Sequence, residues 1–280
     1  MKIRIRELSN KIYVYPRLSK IDLCWLRIGG PGLANCMFIA ANAYVLARKN
    51  AYEFIEPTWF KISIGPFLRK ENDKRTYFKI FKSLGIEGFK KILLLNKFNK
   101  NNIEIGWDNK YFLNLSKEIV LVKEYFDLLT TDEVKKAVSV LEFSEYIALH
   151  VRLGDYPKQY RVNMSWFYNV VLNILSVTPD QKFILFSDGN DDELDMLLKI
   201  PNVEKCFFGN AYADMLAISK SKLLIASDST FSAWGAFLGH VPILFNKRHF
   251  PPVYNNSKIE FVLGDNCTIP ENIIELVINN

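Results

Sequence analysis

The sequence predicts an α/β protein with parallel sheets covered by helices. Two observations in the chain carry this. From residue 146 onward, short apolar runs rich in Val, Ile, Leu and Phe alternate with segments of helical period, the pattern of a parallel sheet buried on both faces. In the first half, a strand runs into Gly29-Gly30-Pro31-Gly32 and then into an Ala-rich helix. Length sets the number of such units. The chain has 280 residues, 49% of them hydrophobic, which suits two domains of about 140 residues each.

Taken in order, residues 2–7 and 11–15 alternate around Ser9-Asn10 and predict a small leading hairpin. Asp22 to Ile28 reads as a strand, and Met37 to Arg48 as a helix with Asn35 as its N-cap. Strand, Gly-rich turn and helix together let a ligand approach amides at a helix N-terminus. The GGPGLAN spacing is not the G-x-G-x-x-G dinucleotide fingerprint. Tyr52 to Glu56 reads as the next strand. A helix is expected over 74–84, an apolar run at 92–95, a strand at Ile119 to Val122 and a helix over 131–141. The domain boundary falls near 126–144, which divides the chain into 1–135 and 136–280.

The second half is more regular. Strands are expected at Tyr146 to Leu149, Lys182 to Phe186, Val203 to Phe208, Leu223 to Ala226 and Val241 to Phe245. Helices are expected at Ser165 to Leu175 with Ser165 as N-cap, Asp191 to Lys199, Ala213 to Lys220 and Phe231 to Leu238.

Net charge is +6 and acids are mixed with bases along the chain. That balance suits a phosphate-bearing ligand or an anionic membrane surface and argues against a nucleic-acid binder. Lys70, Lys74, Arg75, Lys79 and Lys82 make one region basic; a solvated face is preferred there over a membrane-facing patch. Cys24, Cys36, Cys206 and Cys267 form no Cys-x-x-Cys pair and read as free thiols in a reducing compartment. With only His150, His240 and His249 to add, no zinc-ligand spacing fits, and no metal is expected. The N-terminus has no apolar signal core, and no segment is long enough to span a membrane. The expectation is a cytoplasmic protein, with peripheral contact at the inner membrane face left open.

Three strand ends should deliver polar groups to one rim, because ligands of open α/β sheets bind beyond the carboxyl ends of the strands. The first carries His150, Arg152 and Asp155 around Gly154. The second ends in Ser187-Asp188-Gly189. The third ends in Ser227-Asp228-Ser229-Thr230-Phe231-Ser232, where a helix opens. A guanidinium forks onto phosphate oxygens, and hydroxyls with free amides at a helix N-terminus hold an anion. The plainer alternatives are an Arg152–Asp155 pair in a polar turn and ordinary N-capping by Ser and Asp. Asp188 can bond a base or ribose, or cap the following helix. Asp214 can face the site or solvent.

HVRLGDY resembles the H-x-R-R-x-D-Y motif of α-1,2-fucosyltransferases, and other stretches follow in the family's order. GGPGLANCMF is similar to the family's Gly-Gly-Leu-Gly-Asn-Gln-Met-Phe start, and FSDG resembles its F-S-D-D turn. DMLAISKSKLLIASDSTFSAWGAFL resembles its D-L-x-x-M-S…A-N-S-T-F-S-W-W-G-A signature. The chain departs from the family at Leu153, where a second arginine is usual, at Asp228 for Asn, at Ala233 for Trp, and by a shift in the glycine turn.

The resemblance implies two Rossmann-like domains facing each other across a cleft, the GT-B type. It also implies an acceptor-side first domain and a nucleotide-sugar-binding second domain. The activity it implies is metal-independent transfer of fucose from GDP-fucose to a galactose-containing glycan, α-1,2 with inversion. The acceptor would be an oligosaccharide or lipid-linked glycan of bacterial surface assembly. Arg152 would meet the donor diphosphate, with Ser229, Thr230 and Ser232 beside it. Asp155, or else Asp228, would take the acceptor proton. His150 would orient the loop or touch a phosphate, and Asp188 the nucleoside. Gly29, Gly30 and Asn35 would close the site; Ser187, Asp228 and Phe231 complete the donor set. A different sugar nucleotide, or a non-catalytic protein that binds a sugar nucleotide or glycan, are the alternatives.

Overall fold

The computed structural model describes residues 11–62, 64–68, 73–95, 101–142, 145–154, 156–254 and 258–279. The chain divides into two compact units, Met1–Lys135 and Lys136–Asn280. Among the described residues, no helix is long and apolar enough to cross a membrane.

In the first unit, β1 (Tyr13–Pro16) is the middle strand of a three-stranded parallel sheet, between β4 (Glu53–Phe54) and β6 (Asn102–Ile105). The expected leading hairpin therefore does not account for β1, and its other arm, residues 2–7, lies outside the described residues. Helix α1 (Leu33–Lys49) covers this sheet; its alanines allow close packing, and Arg48 and Lys49 in its last turn suit the helix dipole. A second small sheet joins β2 (Ile21–Asp22), β3 (Arg27–Ile28) and β5 (Lys61–Ile62), with β3 in the middle. The strand expected over Asp22 to Ile28 is broken by a turn, closed by Leu23 N–H donating to Leu26 O at 2.8 Å. Asp22 holds that turn by accepting from Cys24 N–H at 2.9 Å, a local bond typical of Asp in turns.

Three further expectations for this unit are corrected. Residues 74–84 form no helix, because Arg75, Tyr77 and Lys79 have φ of 54°, 55° and 59°, the left-handed region a right-handed helix excludes. Ile119 to Val122 is not a strand but the start of α5 (Ile119–Leu129), after α2 (Gly65–Leu68), α3 (Gly88–Leu95) and α4 (Phe112–Leu115). Val122, Tyr125, Phe126 and Leu129 are its buried face, the helical i, i+3, i+4, i+7 stripe that a four-residue window hides. The helix expected over 131–141 is shorter, α6 (Asp132–Ala137).

The second unit is a six-stranded parallel sheet. Its strands are β7 (Tyr146–Val151), β8 (Lys182–Ser187), β9 (Val203–Lys205), β10 (Leu223–Ala226), β11 (Ile243–Phe245) and β12 (Glu260–Val262). They lie in the order β12-β11-β10-β7-β8-β9, all pairs parallel. Its helices are α7 (Met164–Leu175), α8 (Asp191–Leu198), α9 (Ala211–Ile218), α10 (Thr230–Gly239) and α11 (Glu271–Asn279). Ser165 is not the cap of α7; Asn163 is, and it accepts from the Ser165 amide at 3.0 Å. The strand order is that of a doubly wound sheet, and the chain reverses direction between β7 and β10.

Helix α10 sits tightly on α9. A Cβ on Gly235 would lie 2.6 Å from Ile218 Cγ2, and one on Gly239 would lie 2.0 Å from Ser219 O. Trp234 is fully buried beside them. Gly235→Ala is expected to lower stability by about 1–3 kcal/mol through overpacking, read as a lower urea midpoint at unchanged m-value. An unchanged midpoint would show that α10 is free to move off α9.

Candidate functional site

The sheet aims three chain segments at the point of reversal. Immediately after β7 come Arg152 and Gly154; after β10 come Ser227 to Ser232 and the start of α10; after β8 comes Asp188. Backbone bonds lock the first two segments together. Ser227 N–H donates to His150 O at 2.8 Å, and Arg152 N–H donates to Ser227 Oγ at 3.0 Å.

His150 lies under this junction rather than in it. The ring is 4% exposed, with Nδ1 2.5 Å from Ser232 Oγ, and it stacks on Phe231 at a centroid distance of 5.0 Å. Burial, aided by the positive charge of Arg152, pushes its pKa down to about 3. The imidazole is therefore neutral near pH 7 and holds the first turn of α10 in place.

Arg152 is partly exposed, and its Nη1 lies 2.9 Å from Asp188 Oδ2. Asp188 Oδ1 accepts from the amides of Leu153 at 2.8 Å and Gly154 at 3.0 Å. This carboxylate orients the arginine and closes the loop after β7. It does not cap α8, since Asn190 does. Gly154 is required at its position, because a Cβ there would meet Asp188 Oδ2 at 2.6 Å. Leu153 is buried and packs over Gly189, where an added Cβ would come within 2.6 Å of its Cδ1. Asp155 lies outside the described residues, so neither its expected catalytic role nor its pairing with Arg152 has a geometry here.

The hydroxyls at the start of α10 serve the helix itself. Ser229 caps it by accepting from Ser232 N–H at 3.2 Å, and Ser232 Oγ also reaches Ser227 O at 3.2 Å. The amides of Thr230 and Phe231 have no acceptor within the helix. They are the groups here that can meet an anion. Ser187 Oγ is likewise turned inward, donating to Val151 O at 2.7 Å. Asp214 accepts from Phe208 N–H at 2.8 Å, a local turn contact.

Asp228 is buried and salt-bridged. Its Oδ1 takes Arg248 Nη1 at 3.0 Å, and its Oδ2 takes His249 Nδ1 at 3.1 Å. Arg248 is also held by Glu260 at 3.3 Å and lies over the Phe245 ring. His249 remains half exposed at the rim. Tyr156 donates to Asp228 O at 3.1 Å, and Arg161 braces the loop through Tyr156 O at 3.0 Å and Gly154 O at 3.1 Å. Arg161, Arg248 and His249 were missed from the sequence. A signal existed for the last two: Asn246-Lys247-Arg248-His249 follows a fourth strand end, which the same strand-end logic covers.

In the first unit, Gly29 and Gly30 have φ of 67° and 82°. A Cβ on Gly30 would meet Leu18 O at 2.7 Å, so both the conformation and the space require glycine there. Asn35 is not the cap of α1: Gly32 holds that position without a side-chain bond, and Asn35 sits within the first turn. Tyr77 OH accepts from Leu33 N–H at 2.9 Å, which satisfies one amide of the helix start. Lys61 Nζ donates to Gly30 O and Pro31 O, both at 3.3 Å, and supports the glycine turn from beneath.

Because the folded pKa of His150 lies below its ordinary 6.5, the unfolded chain binds the extra proton between the two values. Its contribution is fully present above pH 6.5 and is lost as pH falls toward 3, at up to about 1.4 kcal/mol per pH unit. Urea unfolding at a series of pH values should show this slope, and His150→Gln should flatten it. An equal slope in both proteins would contradict the neutral, buried imidazole.

No protein-family model matches the chain, and no curated protein matches it by sequence. Solved structures do. The fucosyltransferase NodZ from Bradyrhizobium is 14% identical over 84% of this chain and 96% of its own, with a TM-score of 0.51. The NodZ α-1,6-fucosyltransferase soaked with GDP-fucose gives 14%, 84%, 94% and 0.52. A variant of Arabidopsis thaliana FUT1 in complex with GDP is 11% identical over 92% of this chain and 76% of its own, at 0.53. At such identities the likeness is one of fold: this chain has the α/β, GT-B-type fold of these enzymes.

Proposed function

We propose that this chain is a glycosyltransferase that moves fucose from GDP-fucose to a hydroxyl of a galactose-containing glycan. In this reading the linkage is α-1,2 with inversion, the reaction needs no metal ion, and the glycan is an oligosaccharide or is carried on a lipid. The observation that carries it is that Arg152 and the open N-terminus of α10 follow neighbouring strand ends at the reversal point of the sheet, tied by Arg152 N–H donating to Ser227 Oγ. A forked cation and free helix amides on adjacent strand ends are the groups that take a diphosphate. The order of the sequence motifs and the fold shared with enzymes crystallised with GDP or GDP-fucose support the same reading.

The second unit then binds the donor and the first unit serves the acceptor. As the sugar leaves, negative charge grows on the diphosphate. Arg152 and the amides of Thr230 and Phe231 meet that charge, each preorganised donor contributing about 3 kcal/mol to the barrier. Asp188 keeps the guanidinium aimed, and His150 with Ser232 keeps the helix start in register. Asp228, committed to Arg248 and His249, is not itself the base. It stands behind His249: with the Nδ1 proton turned toward Asp228, Nε2 is the basic nitrogen and can take the acceptor proton.

Arg152→Ala is expected to lose GDP binding in calorimetric titration and to lose transfer by at least about a hundredfold, or about 2.7 kcal/mol, with the fold intact and EDTA present throughout. Near-normal turnover in that variant sinks the mechanism. Absence of GDP binding by the folded native protein removes the guanosine donor but leaves the fold.

His249→Ala is expected to lower kcat at least about tenfold while GDP binding persists. If Asp155→Asn does this instead, and His249→Ala does not, the proton goes to Asp155.

A further inference from the structure

The small sheet of the first unit is inside out. Ile21, Ile28 and Ile62 are in register across its three strands, as are Asp22, Arg27 and Lys61. Alternation puts the two rows on opposite faces. The charged row faces inward: Arg27 is fully buried, donating to Gly29 O at 2.8 Å, and Lys61 is buried beneath the glycine turn. Asp22 on the same row accepts from Thr58 at 2.7 Å. The isoleucine row faces outward and is about half exposed at each position.

The apolar surface continues around this row. Leu23 and Trp25 protrude from the turn between β2 and β3, and Trp25 is 66% exposed. Ile64, Phe67 and Leu68 follow β5, and Leu68 is 78% exposed. Phe78, also exposed, packs on Phe60 next to β5 at 5.1 Å. Single exposed apolar residues are ordinary, but a contiguous set marks a binding surface.

Charge says what covers it. Residues 61–91 contain nine Lys or Arg and three Asp or Glu, an excess of six, and the net charge of the whole chain is +6. Lys61 and Lys91 among these are buried, which leaves seven cations against three acids in the stretch that supplies half of this surface. Lys74 and Lys79 keep their ammonium groups over the Phe67 and Phe78 rings, at 5.7 and 5.2 Å, so cation and apolar ring share one patch. A second copy of the chain would bring like charges together. A nucleic acid would have no use for the isoleucine row. An anionic bilayer takes both: rings and aliphatic groups at the headgroup boundary, ammonium groups on the lipid phosphates.

We propose that this face of the first unit docks on an anionic lipid bilayer surface, independently of what the second unit catalyses. The full chain should sediment with vesicles of phosphatidylcholine containing phosphatidylglycerol and not with phosphatidylcholine alone, and added salt should weaken the binding. The Trp25→Ser/Leu68→Ser double variant should bind at least about tenfold more weakly at unchanged circular dichroism. Lys74→Glu/Lys79→Glu, which reverses the two charges that lie over the Phe67 and Phe78 rings, should do the same without substituting an apolar residue. Failure of the native protein to bind anionic vesicles overturns the proposal. So does native-strength binding by both variants, or a stable dimer in sedimentation velocity that Trp25→Ser/Leu68→Ser dissolves.

Discussion

The candidate site depends on the junction where β7 and β10 end side by side. Two backbone-level bonds, Ser227 to His150 and Arg152 to Ser227, tie the two strand ends. Beneath them His150 and Ser232 fix the first turn of α10. A buried imidazole without a partner would be costly. With Ser232 beside it and its charge suppressed, it becomes a spacer of defined shape. Tight seating of α10 on α9 through Gly235 and Gly239 then leaves the helix one position. The open amides of Thr230 and Phe231 are aimed by packing rather than by a flexible loop.

Carboxylates at this rim act as supports. Asp188 is spent on Arg152 and two loop amides, and Asp228 on Arg248 and His249. Each cation they hold is thereby oriented, and orientation rather than charge alone makes a guanidinium useful to a phosphate. Leu153 is part of the core against Gly189. Arg161 enters the same loop from a later position and braces its carbonyls. Its side chain meets the backbone of residues 154 and 156, so it supports the loop that follows Arg152.

The two units follow different rules of polarity. In the second, both strands of the central pair are buried and, apart from His150, apolar, as a doubly wound sheet demands. In the first, the small sheet buries charge and exposes isoleucine. Arg27 and Lys61 are tolerated inside because carbonyls of the glycine turn accept from them. The glycine turn and the inverted sheet are thus one construction: positive φ at Gly29 and Gly30 presents the carbonyls that the buried cations need.

The sequence by itself determined the parallel sheet of the second unit and the presence of Arg152, Asp188 and the Ser-Asp-Ser-Thr-Phe-Ser turn at strand ends. Apolar runs of strand length between helix-period segments admit few other arrangements, and strand ends in such a sheet share a rim. Only the tertiary structure decided what those residues do. Which oxygen of Asp188 meets Arg152, and that Ser232 is held on His150, depend on distances between segments far apart in the chain. The misread stretches have the same cause. Ile119 to Val122 was too short for its period to show, residues 74–84 follow the core contact of Tyr77 rather than helix propensity, and Asn35 lost the cap to Gly32 because α1 begins earlier. Local pattern names an element when its neighbours repeat the pattern; where a distant side chain sets the backbone, only the fold reveals it.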